Sequence, residues 1–208
     1  MSTVLERIEQ SKIVAIVRLR SYERAIEVAN ALLAGGVTIV EFTLTGEGAL
    51  NAIRETRAAL GDKMTIGVGT VLNAEAAQAS LEVGAQFMVT PTICPDVIAT
   101  CNAAGVPILC GALTPTEAQT AYSLGADMVK IFPARLGGPA YIRDILAPLP
   151  HLRLVPTGGV NISNARAFID AGAVAIGIGG NIISEQDVTA GNWDAIAEQA
   201  RSYVEALR

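Results

Sequence analysis

Histidine and tryptophan each occur once in this 208-residue chain, lysine occurs three times, and aromatic residues make up only 4%. One histidine leaves too few imidazoles for metal-dependent epimerases or hydrolases, which need several as ligands. Cys94, Cys101 and Cys110 are odd in number and lack CxxC spacing. That argues against a disulfide framework or a zinc site and reads as small buried hydrophobes. Basic residues number 15 against 20 acidic ones, with no basic run, so the clustered charge that neutralises nucleic-acid phosphates is missing. No apolar run reaches the ~18 to 20 residues of a spanning helix, and the opening MSTVLERIEQSK has no apolar signal core. Neither a membrane nor nucleic acid is therefore expected as a partner, and the expected location is the cytoplasm.

Hydrophobic residues and glycine are abundant instead: 51% of the chain and 20 residues, with a mean hydropathy of +0.42. Parallel sheets covered on both faces give this signature, because their strands read as continuous apolar runs. At this length one domain, residues 1–208, is expected. Its core should remove roughly 70% of the extended chain's surface from water without a metal or disulfide staple.

One phrase recurs: a helix-ending glycine, one or two residues, then a short β-branched run. It reads AGGVTIVEF from Ala34, VGAQFMVTP from Val83, AGVPILCGA from Ala104, LGADMVKIFP from Leu124 and AGAVAIGIGG from Ala171. Glycine lets each helix end in the left-handed region, and a strand follows. The phrases lie about 20 or about 45 residues apart, one or two βα units. Further strands are expected at Ile13–Arg18, Thr65–Val71 and Arg153–Gly159, making about eight. Helix starts are expected at Ser21, at Asn73, at Thr114 with Glu117, and at Ser163. Eight alternating units without a linker predict a closed α/β fold, a (β/α)8 TIM barrel with tight loops, and Thr3–Gln10 reads as a short extra N-terminal helix under it.

In such a barrel the C-terminal ends of the strands face the active side. His151 precedes the strand RLVPTGG, at the opposite end, and reads as a surface loop residue. Lys12 and Lys63 flank strands in polar surroundings, but Lys130 sits inside DMVKIFPA. Burial disfavours an ammonium, and a neutral amine is the nucleophile that condenses with a carbonyl. Lys130 could alternatively neutralise a buried acid such as Glu41, which ends the apolar run TIVEFTL. Glu41 is itself a candidate general acid/base. Arg18, at the end of KIVAIVR, has the fork to hold a carboxylate. Thr70 and Thr157 end strands and offer hydroxyls, although strand threonines are commonplace. Gly158-Gly159 and Gly179-Gly180 with Asn181 follow the seventh and eighth strands, where such barrels commonly bind phosphate through backbone amides.

Taken in order, KIVAIVR, VEFTLT, GVGTVLN, VKIFPA, VPTGGV and GIGGN resemble the 2-keto-3-deoxy-6-phosphogluconate (KDPG) and 4-hydroxy-2-oxoglutarate (KHG) aldolases across essentially the whole chain. The resemblance implies a class I aldolase of the pyruvate-enamine type with no metal and no cofactor. It assigns Lys130 as the Schiff-base lysine, Glu41 as the acid/base, and Thr70, with Pro91, Thr157 and Arg18, as substrate-binding residues. Gly158, Gly159, Gly179, Gly180 and Asn181 would bind phosphate. One branch of the family carries an arginine just after the second strand; this chain has Thr45, and resembles the branch whose first strand supplies the charge, here through Arg18. The implied partners are a phosphorylated 2-keto acid substrate, pyruvate, and two further copies of the chain in a homotrimer. VTPTICPDVI and GGPAYIRDI look somewhat like the sister aldolase for the galactonate epimer. A metal-free phosphosugar isomerase or epimerase with Glu41 as base, and an idle barrel used for binding, are the other readings.

Overall fold

The computed structural model describes residues 3–208. Its elements run α1 (Val4–Ser11), β1 (Ile13–Val17), α2 (Ala25–Ala34), β2 (Ile39–Thr43), α3 (Ala49–Leu60), β3 (Thr65–Gly69), α4 (Ala74–Glu82), β4 (Met88–Val89), α5 (Pro95–Ala104), β5 (Ile108–Ala112), α6 (Pro115–Ser123), β6 (Met128–Ile131), α7 (Gly138–Leu146), β7 (Leu154–Pro156), α8 (Ala165–Asp170), β8 (Ile176–Ile178), α9 (Glu185–Ala190) and α10 (Trp193–Ala206). Consecutive strands from β1 to β7 pair in parallel, and β8 returns to pair with β1. The seam between β7 and β8 is held by a single bridge, Thr157 to Gly177, and by the Val174 N–H donating to the Leu154 carbonyl at 3.0 Å. The barrel expected from the repeat is thus present and nearly closed.

Every strand residue is buried, as both-sided covering requires, and alternation then divides each strand between an outer face on the helices and an inner face. The inner floor is one apolar cluster that includes Val14, Ile39, Val89, Leu109, Met128 and Val155. Ile8 of α1 is fully buried in it, a burial worth about 2 kcal/mol. The extra helix therefore plugs the barrel bottom, with Thr3 and Glu6 forming its capping box. Phe87 fills the centre, in the space a side chain at Gly67 would occupy. Two residues further along the same strands come Ile16, Glu41, Pro91, Gly111, Lys130 and Thr157, which form the next layer toward the C-terminal ends.

Caps are observed where expected at Asn73, whose side chain accepts from the Ala76 N–H, and at Thr114, which forms a capping box with Glu117. Two helix starts differ. Ser21 does not cap: it bridges to Glu47, so the chain stays extended and α2 begins only after Arg24. Tyr22, placed by that extension, donates its hydroxyl toward the carbonyls of Val17 and Thr43 at 2.8 Å. Ser163 is displaced by its asparagine neighbours. The Asn161 side chain takes both its N–H and its hydroxyl, and Asn164 holds the cap position of α8 while accepting from the Asn161 N–H. Among the described residues no helix is long and apolar enough to cross a membrane.

Candidate active site

Lys130 of β6 and Glu41 of β2 face each other in the layer above the apolar floor. Nζ lies 3.8 Å from Oε1, and the residues are only 6% and 1% exposed. Their strands are not neighbours, so the pair spans the barrel interior. The carboxylate rests against Gly69, where an added Cβ would come within 2.7 Å of Oε1, and glycine is needed there for that close approach. Glu41 Oε1 is buried without a hydrogen-bond partner. Burial pushes the Glu41 carboxyl above the usual carboxylate range, and the charges of Lys130 and Arg18 only partly pull it back. A carboxyl held this way beside an amine is suited to giving and taking protons. Phe132 places its ring centroid 5.5 Å from Nζ, forming an apolar wall.

That ring also lines the rim of a cleft of about 460 Å³ above the seam between β7 and β8. Thr157, Gly158, Gly159, Gly179, Gly180 and Asn181 line it, together with Arg18 at the end of β1. Gly158 and Gly159 have φ of +83° and +89°, and among the described residues the amides of Gly158, Gly159 and Gly180 donate to no protein acceptor. They are open to an anion in the cleft. No acidic residue lines it.

The family model "KDPG and KHG aldolase" matches residues 4–199. The chain belongs to the KDPG and KHG aldolase family. This aldolase, a carbon–carbon lyase by that membership, is 35% identical over 197 residues to the 2-dehydro-3-deoxy-phosphogluconate aldolase of Treponema pallidum (strain Nichols), covering 94% of this chain and 93% of that one. It is also 35% identical over 198 residues to the 2-dehydro-3-deoxy-6-phosphogalactonate aldolase of Escherichia coli (strain K12), covering 94% of each. Its fold matches the KDPG aldolase of Legionella pneumophila, solved with pyruvate captured as a covalent carbinolamine. The TM-score is 0.88 at 26% identity, over 96% of this chain and 97% of the other.

Thr70 follows β3, half-buried, at φ +61°. Pro91 packs against Gly111 and lines a separate cavity of about 310 Å³ on the other side of Phe132. The Asn181 side chain donates to the Val160 carbonyl at 2.7 Å, bracing the loop after β8 against the loop after β7. His151 is exposed at the far end and shares a hydrogen bond with Gln119. Cys94 holds the cap position of α5, half-buried, and its thiol meets the Thr92 hydroxyl at 3.6 Å. Cys101 and Cys110 are buried, and burial pushes the Cys101 thiol up to about 12.

Sequence reasoning missed Phe132, Gly69 and Arg135. Phe132 lies two residues beyond Lys130. Arg135 follows the quoted VKIFPA directly, in a short 3-10 turn after β6, and lines the cleft. Its place after a strand's C-terminal end is the signal that could have found it.

Proposed function

We propose that this aldolase cleaves 2-keto-3-deoxy-6-phosphogluconate to pyruvate and glyceraldehyde 3-phosphate through a Schiff base on Lys130. The observation that carries the reading is the buried Lys130–Glu41 pair at 3.8 Å beneath a glycine-lined cleft. Nζ, its extra proton taken by Glu41, adds to the C2 ketone; the carbinolamine hydroxyl takes that proton back and departs as water, leaving the iminium and an ionised Glu41. Glu41 accepts the proton of the C4 hydroxyl as the C3–C4 bond breaks; its electron pair moves into the iminium, and the aldehyde departs. The enamine left behind takes a proton at C3, and water hydrolyses the resulting imine, returning pyruvate and the free lysine.

Arg18 and Thr70 hold the carboxylate, Pro91 and Thr157 shape the walls around the reacting carbons, and the amides of Gly158, Gly159, Gly179 and Gly180 receive the phosphate. Asn181 serves that subsite by fixing the loop that carries Gly179 and Gly180. Thr70 is β-branched in the left-handed region, a conformation that costs about 1 to 3 kcal/mol. Thr70→Gly removes that strain together with the hydroxyl. Its melting temperature should stay level or rise while kcat/KM falls about 10- to 100-fold; calorimetry and steady-state rates on one preparation check both.

Shared motifs and the 35% identity to the E. coli enzyme favour a second reading, cleavage of the galactonate epimer. Initial rates of pyruvate release from the two epimers decide between them, and no pyruvate from either refutes the proposal. Cleavage of 4-hydroxy-2-oxoglutarate is a further activity the family description supports. We also propose a homotrimer working in the cytoplasm. Three unpaired thiols suit a reducing compartment. The exposed Leu72 and an apolar groove lined by Leu44, Leu50 and Ala76 suit self-association. Light scattering that finds a monomer contradicts the trimer.

A further inference from the structure

Arg135 is the one charged residue of the cleft with no part in the Schiff-base reaction. The chain carries five more acids than bases, yet the cleft is lined by two arginines, Arg18 and Arg135, and no acid. Among the described residues neither guanidinium has an ion pair or a hydrogen bond to protein. Both charges are therefore available to a ligand.

They flank the β7–β8 seam from opposite sides: Arg18 follows β1, the neighbour of β8, and Arg135 follows β6, the neighbour of β7. Arg135 is built into the glycine cup. Its N–H donates to the Gly158 carbonyl at 2.9 Å, and its Cβ packs where a side chain on Gly159 would stand. Gly159 therefore has two reasons to be glycine: its φ of +89° and the stem of Arg135.

We propose that Arg135 is a specificity-determining residue, its guanidinium taking the substrate phosphate together with the glycine amides and thereby selecting phosphorylated over unphosphorylated 2-keto-3-deoxy sugar acids. This rests on the Schiff-base aldolase reading. Amides alone bind an anion through partial charges, whereas a guanidinium adds charge-assisted, bidentate hydrogen bonds and discriminates a dianion from a hydroxyl. The phosphate lies remote from the bond that breaks, so its binding anchors the substrate without entering the proton transfers.

The test compares wild type, Arg135→Gln and Arg135→Lys on 2-keto-3-deoxy-6-phosphogluconate and on 2-keto-3-deoxygluconate, with glycerol 3-phosphate as a competitive inhibitor. Arg135→Gln should lower kcat/KM on the phosphorylated substrate about 10- to 100-fold, chiefly through KM, and weaken glycerol 3-phosphate by a similar factor. It should leave the unphosphorylated substrate and the trapping of pyruvate by borohydride unchanged. Arg135→Lys should recover part of the loss. Equal losses on both substrates, or unchanged inhibition by glycerol 3-phosphate, overturn the role of Arg135. Failure of wild type to be trapped with pyruvate overturns the aldolase reading instead.

Discussion

Lys130→Ala is expected to release no measurable pyruvate from any 2-keto-3-deoxy-6-phospho sugar acid, a fall of at least ~10⁴-fold, because removing the nucleophile removes the covalent route. The loss should appear wholly in kcat. The cleft with its glycine cup and arginines remains, so substrate and glycerol 3-phosphate still bind. The truncation also relieves Glu41 of its nearest opposite charge. That raises the carboxyl further. Circular dichroism and inhibitor titration on the inactive protein check that the loss is chemical.

Glu41→Gln carries the second large effect, a fall in kcat of about 10²- to 10⁴-fold, the range of a positioned general acid/base. Its pH behaviour is distinctive. Glu41 is held above its ordinary value of 4.5, chiefly by burial, so folding favours the protonated form. That contribution to stability is fully present below about pH 4.5 and is lost as pH rises through the raised value. The melting temperature of wild type, measured against Glu41→Gln, should therefore fall as pH is raised from about 5 to 8. Glutamine also removes the partner of Lys130, so the same comparison made in the Lys130→Ala background isolates the slope that belongs to Glu41. A constant difference across that range contradicts the assigned environment.

Lys130 and Glu41 were legible in the sequence because each is a charge interrupting an apolar strand run. The repeat fixed which strand carried each, and period-two alternation brings both inward. The paired glycines were legible because two coincide with the ends of β7 and β8. Arg135 and Phe132 stand just beyond β6, where no periodicity governs direction and an arginine looks like any exposed cation. Gly69 could not be recognised as the partner of Glu41 either, since its meaning lies in a side chain 28 positions away. The helix starts at Ser21 and Ser163 failed for a local reason. Serine is a good cap, but a bridge to Glu47 and a pair of asparagines compete for the same backbone groups.

Reductive trapping shows whether Lys130 forms an imine with pyruvate. Wild-type protein treated with pyruvate and borohydride, then digested and sequenced by mass spectrometry, should carry one reduced pyruvyl group on Lys130 and none on Lys12 or Lys63. An unmodified Lys130, or an adduct placed on another lysine, would rule out that imine.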